Sequence, residues 1–213
     1  MHSKGTRIKF CRKRDPVPFS APIPEVVAIR AFIGVELGDL QKSEIARIIN
    51  LLHKDARKGR WKREENLHLT LKFLPEVRED QLALIDAVIG SLAQQQAPFQ
   101  LEFTGLGQFR GRDSIRVVWI GLAGDLQVLQ QLKRQTEQGL VPTGFAAETR
   151  PYAPHITLGQ DVVFTQDFQM IEQSLGPVTI EPIKVDHLTL FKSEQIEGRR
   201  VYTPILRYDF ISC

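Results

Sequence analysis

A five-residue pattern that occurs twice constrains this chain more than any other feature. Leu67-His68-Leu69-Thr70-Leu71 and Pro154-His155-Ile156-Thr157-Leu158 lie 87 residues apart. Side chains alternate faces along a strand, so His68 and Thr70 share one face while Leu67, Leu69 and Leu71 point to the other, into a core. The second copy has the same geometry. Further positions match at the same spacing: Phe32 with Trp119, Ile33 with Ile120, Gly34 with Gly121, and Asp80 with Asp167. Several matches at one offset indicate an internal duplication. They predict two lobes related by a pseudo-twofold axis, each bringing one His-x-Thr strand to a shared cleft.

Apolar spacing supplies the rest of the outline. Strands are predicted over Val26–Val35, Leu67–Leu74, Phe99–Phe109 and Ile115–Leu122, around His155, and twice more at the end of the chain. Helical spacing joins Ile45, Ile48, Ile49 and Leu52, then Leu82, Ile85, Ile89 and Leu92, with Asp80 as the expected N-cap. Two more helices carry Leu126, Leu129 and Leu132, and Phe168, Ile171 and Leu175. The order is βαβαβ followed by βαβαββ, without a phosphate-binding glycine loop. The fold class is therefore α+β: bilobal, with a mainly antiparallel sheet and outer helices in each lobe around a central cleft.

The 213 residues suit one bilobal domain over residues 26–213, behind a basic leader over residues 1–25. That leader holds Lys4, Arg7, Lys9, Arg12, Lys13 and Arg14 ahead of the Pro16–Pro24 stretch, and its composition predicts a disordered tail. The net charge of +3 and pI near 8.9 suit a polyanionic partner without requiring one. No segment approaches the roughly 18 apolar residues of a membrane span, and no apolar h-region marks a secretory signal. The cysteines, Cys11 and Cys213, are peripheral and supply neither a disulfide framework nor a zinc cluster. A cytoplasmic monomer without cofactor or metal is the expectation.

Two imidazoles and two hydroxyls converging on one cleft are what phosphodiester cleavage needs when no metal assists. A neutral imidazole takes a proton from water as it attacks phosphorus, and an imidazolium gives one to the departing ribose oxygen. Thr70 and Thr157 can hold the non-bridging oxygens as charge develops. A lone His-x-Thr is usually a surface or packing feature, so the weight rests on the duplication. A third copy, His187-Leu188-Thr189-Leu190, lacks a histidine mate, because the offset places it against Gln100. His187 is therefore expected as a strand residue beside the site.

At these residues the sequence resembles the 2H phosphoesterase superfamily, with its paired His-x-Thr motifs, and more closely the RNA 2′,3′-cyclic phosphodiesterases once called 2′-5′ RNA ligases. The likeness runs from about Arg30 to Tyr208. It rests on Arg30-Ala31-Phe32-Ile33, Asn66 to Leu74, Arg116-Val117-Val118-Trp119, Arg150 to Leu158, Leu190-Phe191-Lys192-Ser193 and Gly198 to Tyr202. The resemblance implies opening of a 2′,3′-cyclic phosphate to a 2′-phosphate, with His68 as proton donor and His155 as proton acceptor. It also implies that the reverse direction would join RNA ends. The chain departs from the family's pattern at Pro75, where glycine is usual, and at Gly159-Gln160, where Ala-Arg is usual.

Arg30, Lys72, Arg116, Arg150 and Lys192 lie on or beside the expected cleft strands, where cations position phosphates without reading sequence. Phe32, Trp119 and Tyr152 are candidates to stack a base, although packing is the commoner fate of Phe32 and Trp119 at matched repeat positions. The expected partner is RNA with a 2′,3′-cyclic phosphate end. Two rivals remain: a non-catalytic module for RNA ends or phosphate, and a cyclic phosphodiesterase for a small nucleotide such as an ADP-ribose cyclic phosphate. A basic surface beyond the cleft would favour RNA; a closed pocket would favour the small nucleotide.

Overall fold

The computed structural model describes residues 28–211, so the basic leader over residues 1–25 lies outside the described residues. In chain order the elements are β1 (Ile29–Glu36), α1 (Asp39–Lys54), β2 (Ala56–Trp61), β3 (His68–Val77), α2 (Glu79–Ala93) and β4 (Phe99–Arg110). There follow β5 (Ile115–Gly124), α3 (Leu126–Leu140), β6 (His155–Phe164), α4 (Phe168–Leu175), β7 (Ile183–Val185), β8 (His187–Ile196) and β9 (Arg199–Asp209). Of the apolar positions predicted by spacing, Ile45, Ile48, Ile49 and Leu52 on α1, Ile85 and Ile89 on α2, Leu129 and Leu132 on α3, and Ile171 on α4 are buried, while Leu82, Leu92, Leu126, Phe168 and Leu175 are half-buried against the same core. Asp80 is not the cap of α2. Arg78 occupies that position, its N–H donating to Gln81 Oε1, and Asp80 sits in the first turn paired with the Arg78 guanidinium.

The strands form one antiparallel path, β7-β4-β5-β6-β3-β1-β8-β9, with β2 paired to β6. Two lobes are visible in that order. β1 lies between β3 and β8 in one, and β5 lies between β6 and β4 in the other. They meet where β3 pairs β6, through a single registered pair, Leu69 with Ile156, both fully buried. The seam thus sets the two His-x-Thr strands side by side. The bilobal α+β arrangement expected from the duplication is the one present.

The duplication extends to a defect in the sheet. Between Ile33–Lys72 and Gly34–Thr70 one extra residue, Leu71, is inserted in β3. Between Val118–Gly159 and Trp119–Thr157 the extra residue is Leu158 in β6, at the same 87-residue offset. Such a bulge turns the residues beyond it to the other face. The two halves nevertheless differ by a slide in pairing. Gly34 lies opposite Thr70, but Trp119, not Gly121, lies opposite Thr157. The 87-residue offset therefore holds for β3 and β6, while β1 and β5 correspond with two residues fewer. A slide of two preserves the facing of every side chain.

Pro75 lies within β3, not after it, at the irregularity between the Ala31–Leu74 and Ile29–Val77 pairs. A bulge is where a strand tolerates a residue without an N–H. The β8–β9 hairpin turns on Glu197 and Gly198, both with positive φ (48° and 76°), the requirement of a type I′ turn.

Candidate active site

Each histidine is held in the same way. The carbonyl two residues earlier accepts from Nδ1: Asn66 O for His68 at 2.8 Å and Ala153 O for His155 at 2.7 Å. A carbonyl only accepts, so Nδ1 carries the proton and a neutral ring presents Nε2 as an acceptor. At His68 the Thr70 hydroxyl lies 3.0 Å from that Nε2. Thr157 shares the face of His155 by strand alternation, on either side of buried Ile156.

The surroundings differ. His68 is enclosed by aromatic rings: Phe32 is stacked on it at 4.4 Å, and Tyr202 meets it edge-on at 5.1 Å. Burial, partly offset by the Asn66 carbonyl, lowers its pKa to about 4, with Lys62 and His155 adding to the lowering. His155 meets Phe109 edge-on at 5.1 Å and is also pushed below the usual histidine range by burial, against the Ala153 carbonyl. Both rings are thus neutral near pH 7 in the unliganded protein. A group that must donate a proton has to acquire it with the substrate.

A cavity of about 350 Å³ opens beside His155 and Thr70, lined by Phe109, Arg116, Arg150 and Tyr152, with Glu148 as the only carboxylate among its lining residues. Arg116 and Arg150 are exposed at its lip. The Tyr152 hydroxyl donates to the Thr70 carbonyl at 2.9 Å, so Tyr152 ties the loop before β6 to β3. Burial raises its pKa, keeping it protonated. Arg30 is exposed over the Phe73 ring at 4.4 Å and does not line this cavity. Lys192 on β8 pairs with Glu194 at 2.8 Å. Among the described residues, no group of three or more His, Cys, Asp or Glu side chains is placed to share a metal ion.

Two expectations need correction. Strict alternation would put Lys72 on the face of His68 and Thr70, but the Leu71 bulge sends it to the core face opposite Ile33. There it is 2% exposed, donating to Glu137 of α3 at 2.5 Å and to the Ala146 carbonyl at 2.7 Å. Burial alone would raise the Glu137 carboxyl; the Lys133 and Lys72 ammonium groups outweigh it and hold the carboxyl below its usual range. Phe32 does reach the His68 face, yet it is 2% exposed between His68 and Phe191. It supports the imidazole and has no open face for a base. Trp119 likewise packs, its ring lying over Gly107, where a Cβ would collide with it.

His187 stands two strands from His68, on β8 beyond β1. It is buried, its Nδ1 2.7 Å from the Asp186 carboxylate, and neighbouring Thr189 donates to Glu36 at 2.6 Å. Several residues at the site carried no separate sequence signal. Asn66 acts through its backbone, Phe109 arrives from β4, and Lys62 comes from just past β2, where its ammonium donates to the Tyr202 hydroxyl at 3.2 Å. The basic run Lys58 to Arg63 was the available clue to Lys62.

Comparison with known proteins follows the same two halves. The family model described as LigT-like phosphoesterase matches residues 39–119 and again 120–202. A relative named RNA 2′,3′-cyclic phosphodiesterase, from Methanothermobacter thermautotrophicus, is 30% identical over 82% of this chain and 95% of its own length. One of the same name from Thermotoga maritima is 27% identical over 85% and 96%. Among solved structures, E. coli LigT in apo form superposes with a TM-score of 0.72 at 26% identity, covering 87% of this chain and 99% of that one. Its complex with 3′-AMP gives 0.71 at 27% identity over the same shares.

Proposed function

The chain belongs to the LigT-like phosphoesterase family, and we propose that it hydrolyses terminal RNA 2′,3′-cyclic phosphates to 2′-phosphates without a metal. The observation that supports this most is the matched pair of imidazoles, each fixed at Nδ1 by the carbonyl two residues before it. His155 takes a proton from water as the water oxygen attacks phosphorus. The P–O3′ bond breaks, and His68 Nε2 gives its proton to the departing 3′-oxygen. The products are a 2′-phosphate and a 3′-hydroxyl, and proton exchange with solvent restores the pair. Thr70 and Thr157 steady the phosphoryl oxygens, and Arg116 and Arg150 at the lip of the cavity bring the anion in.

The acid role of His68 depends on the substrate. Its low pKa in the free protein arises mainly from burial, and a phosphate anion against Nε2 favours the imidazolium there. With a ribose 5′-hydroxyl in place of water, the same pair serves 2′–5′ ligation. The reaction is tested with an RNA oligonucleotide ending in a 2′,3′-cyclic phosphate, in excess EDTA, with products resolved as 2′- or 3′-phosphate. A 2′-phosphate formed at a rate unaffected by the chelator is expected. A 3′-phosphate, or loss of turnover in EDTA, would overturn the proposal.

A further inference from the structure

A second cavity, of about 480 Å³, is lined by Asn66 and Tyr202, both of which touch His68. Its lining contains Arg30, Arg60, Lys62, Arg63, Arg199 and Arg200, and no aspartate or glutamate. Two of these cations are partly engaged from outside the lining, Arg60 by Asp161 and Arg63 by Glu65. Lys62 spends one donor on the Tyr202 hydroxyl. Arg30, Arg199 and Arg200 have no carboxylate partner among the described residues. Six like charges around one cavity repel one another, and a polyanion entering it removes that repulsion. The cavity lies within the range that accommodates a ligand much larger than one phosphate.

Its walls connect directly to the reacting histidine. Asn66, whose carbonyl orients His68, also donates from Nδ2 to the Arg200 carbonyl at 2.9 Å, fixing the β9 arm of the hairpin to the active-site strand. Tyr202 lies edge-on to His68 and lines the cavity. The cavity at His155 is aromatic and has a single carboxylate; this one is basic and has none. Arg116 and Arg150 in the first share their lining with Glu148, whereas the second holds six cations and no carboxylate.

We infer that this basic cavity is a subsite for the phosphodiester backbone of single-stranded RNA outside the reacting nucleotide, and so makes the protein prefer an oligonucleotide end to a cyclic mononucleotide. The inference rests on the proposed function for its catalytic readout only. Six side chains from three separate stretches of chain supply phosphate contacts without base recognition, so the preference is for chain length and not for sequence. Neutralising Lys62 with a bound phosphate also relieves one of the charges acting against protonation of His68.

The test compares kcat/KM for a hexanucleotide ending in a 2′,3′-cyclic phosphate with that for adenosine 2′,3′-cyclic monophosphate. Wild type is expected to favour the hexanucleotide. The double variant Arg199→Gln with Arg200→Gln should lower that ratio roughly tenfold, chiefly through KM. Removing two charges elsewhere, Lys54→Gln with Arg134→Gln, should leave the ratio in place. In parallel, anisotropy measures binding of a hexanucleotide with a plain 3′-hydroxyl against salt. Loss of two phosphate contacts predicts a slope of log K against log salt shallower by about 1.4 in the Arg199/Arg200 variant. An unchanged slope overturns the subsite, as does an equal drop in both variants. If wild type turns over neither cyclic substrate, the proposed reaction fails while the binding slope still decides the subsite.

Discussion

Uptake of a solvent proton by His68 when substrate binds is the most exacting consequence of this geometry. In the free protein burial places the His68 pKa at about 4, so at pH 7 it holds almost no proton. A single negative charge about 4 Å from the ring, at an effective dielectric near 20, contributes roughly 4 kcal/mol. That corresponds to about three pKa units and raises the bound value to roughly 7. The ligand should be a 2′–5′-linked dinucleotide with a 3′-deoxyribose, which carries one fixed charge and cannot cyclise. NMR titration of the imidazole resonances, free and saturated, reads the shift directly. Calorimetry at pH 5.5 in buffers of different ionisation enthalpy should show uptake of nearly one proton per ligand. If His68 still titrates near 4 when liganded, it cannot be the donor, and the roles of His68 and His155 must be exchanged.

Other consequences concern stability. His68 titrates near 6.5 in the unfolded chain and about 4 in the folded one. The unfolded chain therefore binds the proton first as pH falls: stability is full above about pH 6.5 and drops by about 3 kcal/mol by pH 4. Urea denaturation of wild type and His68→Gln across that window should show this loss only in wild type; parallel curves would refute it. Lys72→Met leaves Glu137 buried with Lys133 as its remaining ammonium partner and should cost about 3 kcal/mol. An unchanged urea midpoint would mean that the pair contributes nothing net. Tyr152→Phe removes the bond to the Thr70 carbonyl and should cost about 1 kcal/mol while raising KM for the cyclic phosphate more than it lowers kcat. A fall in kcat alone would place the Tyr152 hydroxyl in the chemistry instead.

The parts of this fold that were legible in the sequence are those fixed by period. The helix faces at Ile45–Leu52 and Leu129–Leu132 follow from spacing alone, and so do the two His-x-Thr strands and the lobes they imply. What was not legible depends on pairing. Ala56-Arg57-Lys58-Gly59-Arg60-Trp61 carries no apolar alternation and is a strand only because β6 offers it a partner. β7, three residues long, is too short to show a period. The Leu71 bulge leaves no trace in local composition, yet it decides that Lys72 is buried beside Glu137 and not aimed at phosphate. Phe32 reaches the His68 face, but its enclosure by Phe191 comes from a strand more than 150 residues later. The orienting carbonyls of Asn66 and Ala153 are backbone groups, and residue identity does not report them.

Single-turnover cleavage of a 2′,3′-cyclic phosphate RNA end by wild type, His68→Ala, His155→Ala and the double variant tests the two-histidine pair most directly. Acting as a unit, each single variant should lose about 10²-fold or more, and the double variant should lose little beyond the worse single one. Retention of near wild-type turnover by either single variant, or fully multiplicative losses in the double, would contradict the assignment of His68 and His155 as one acid–base pair.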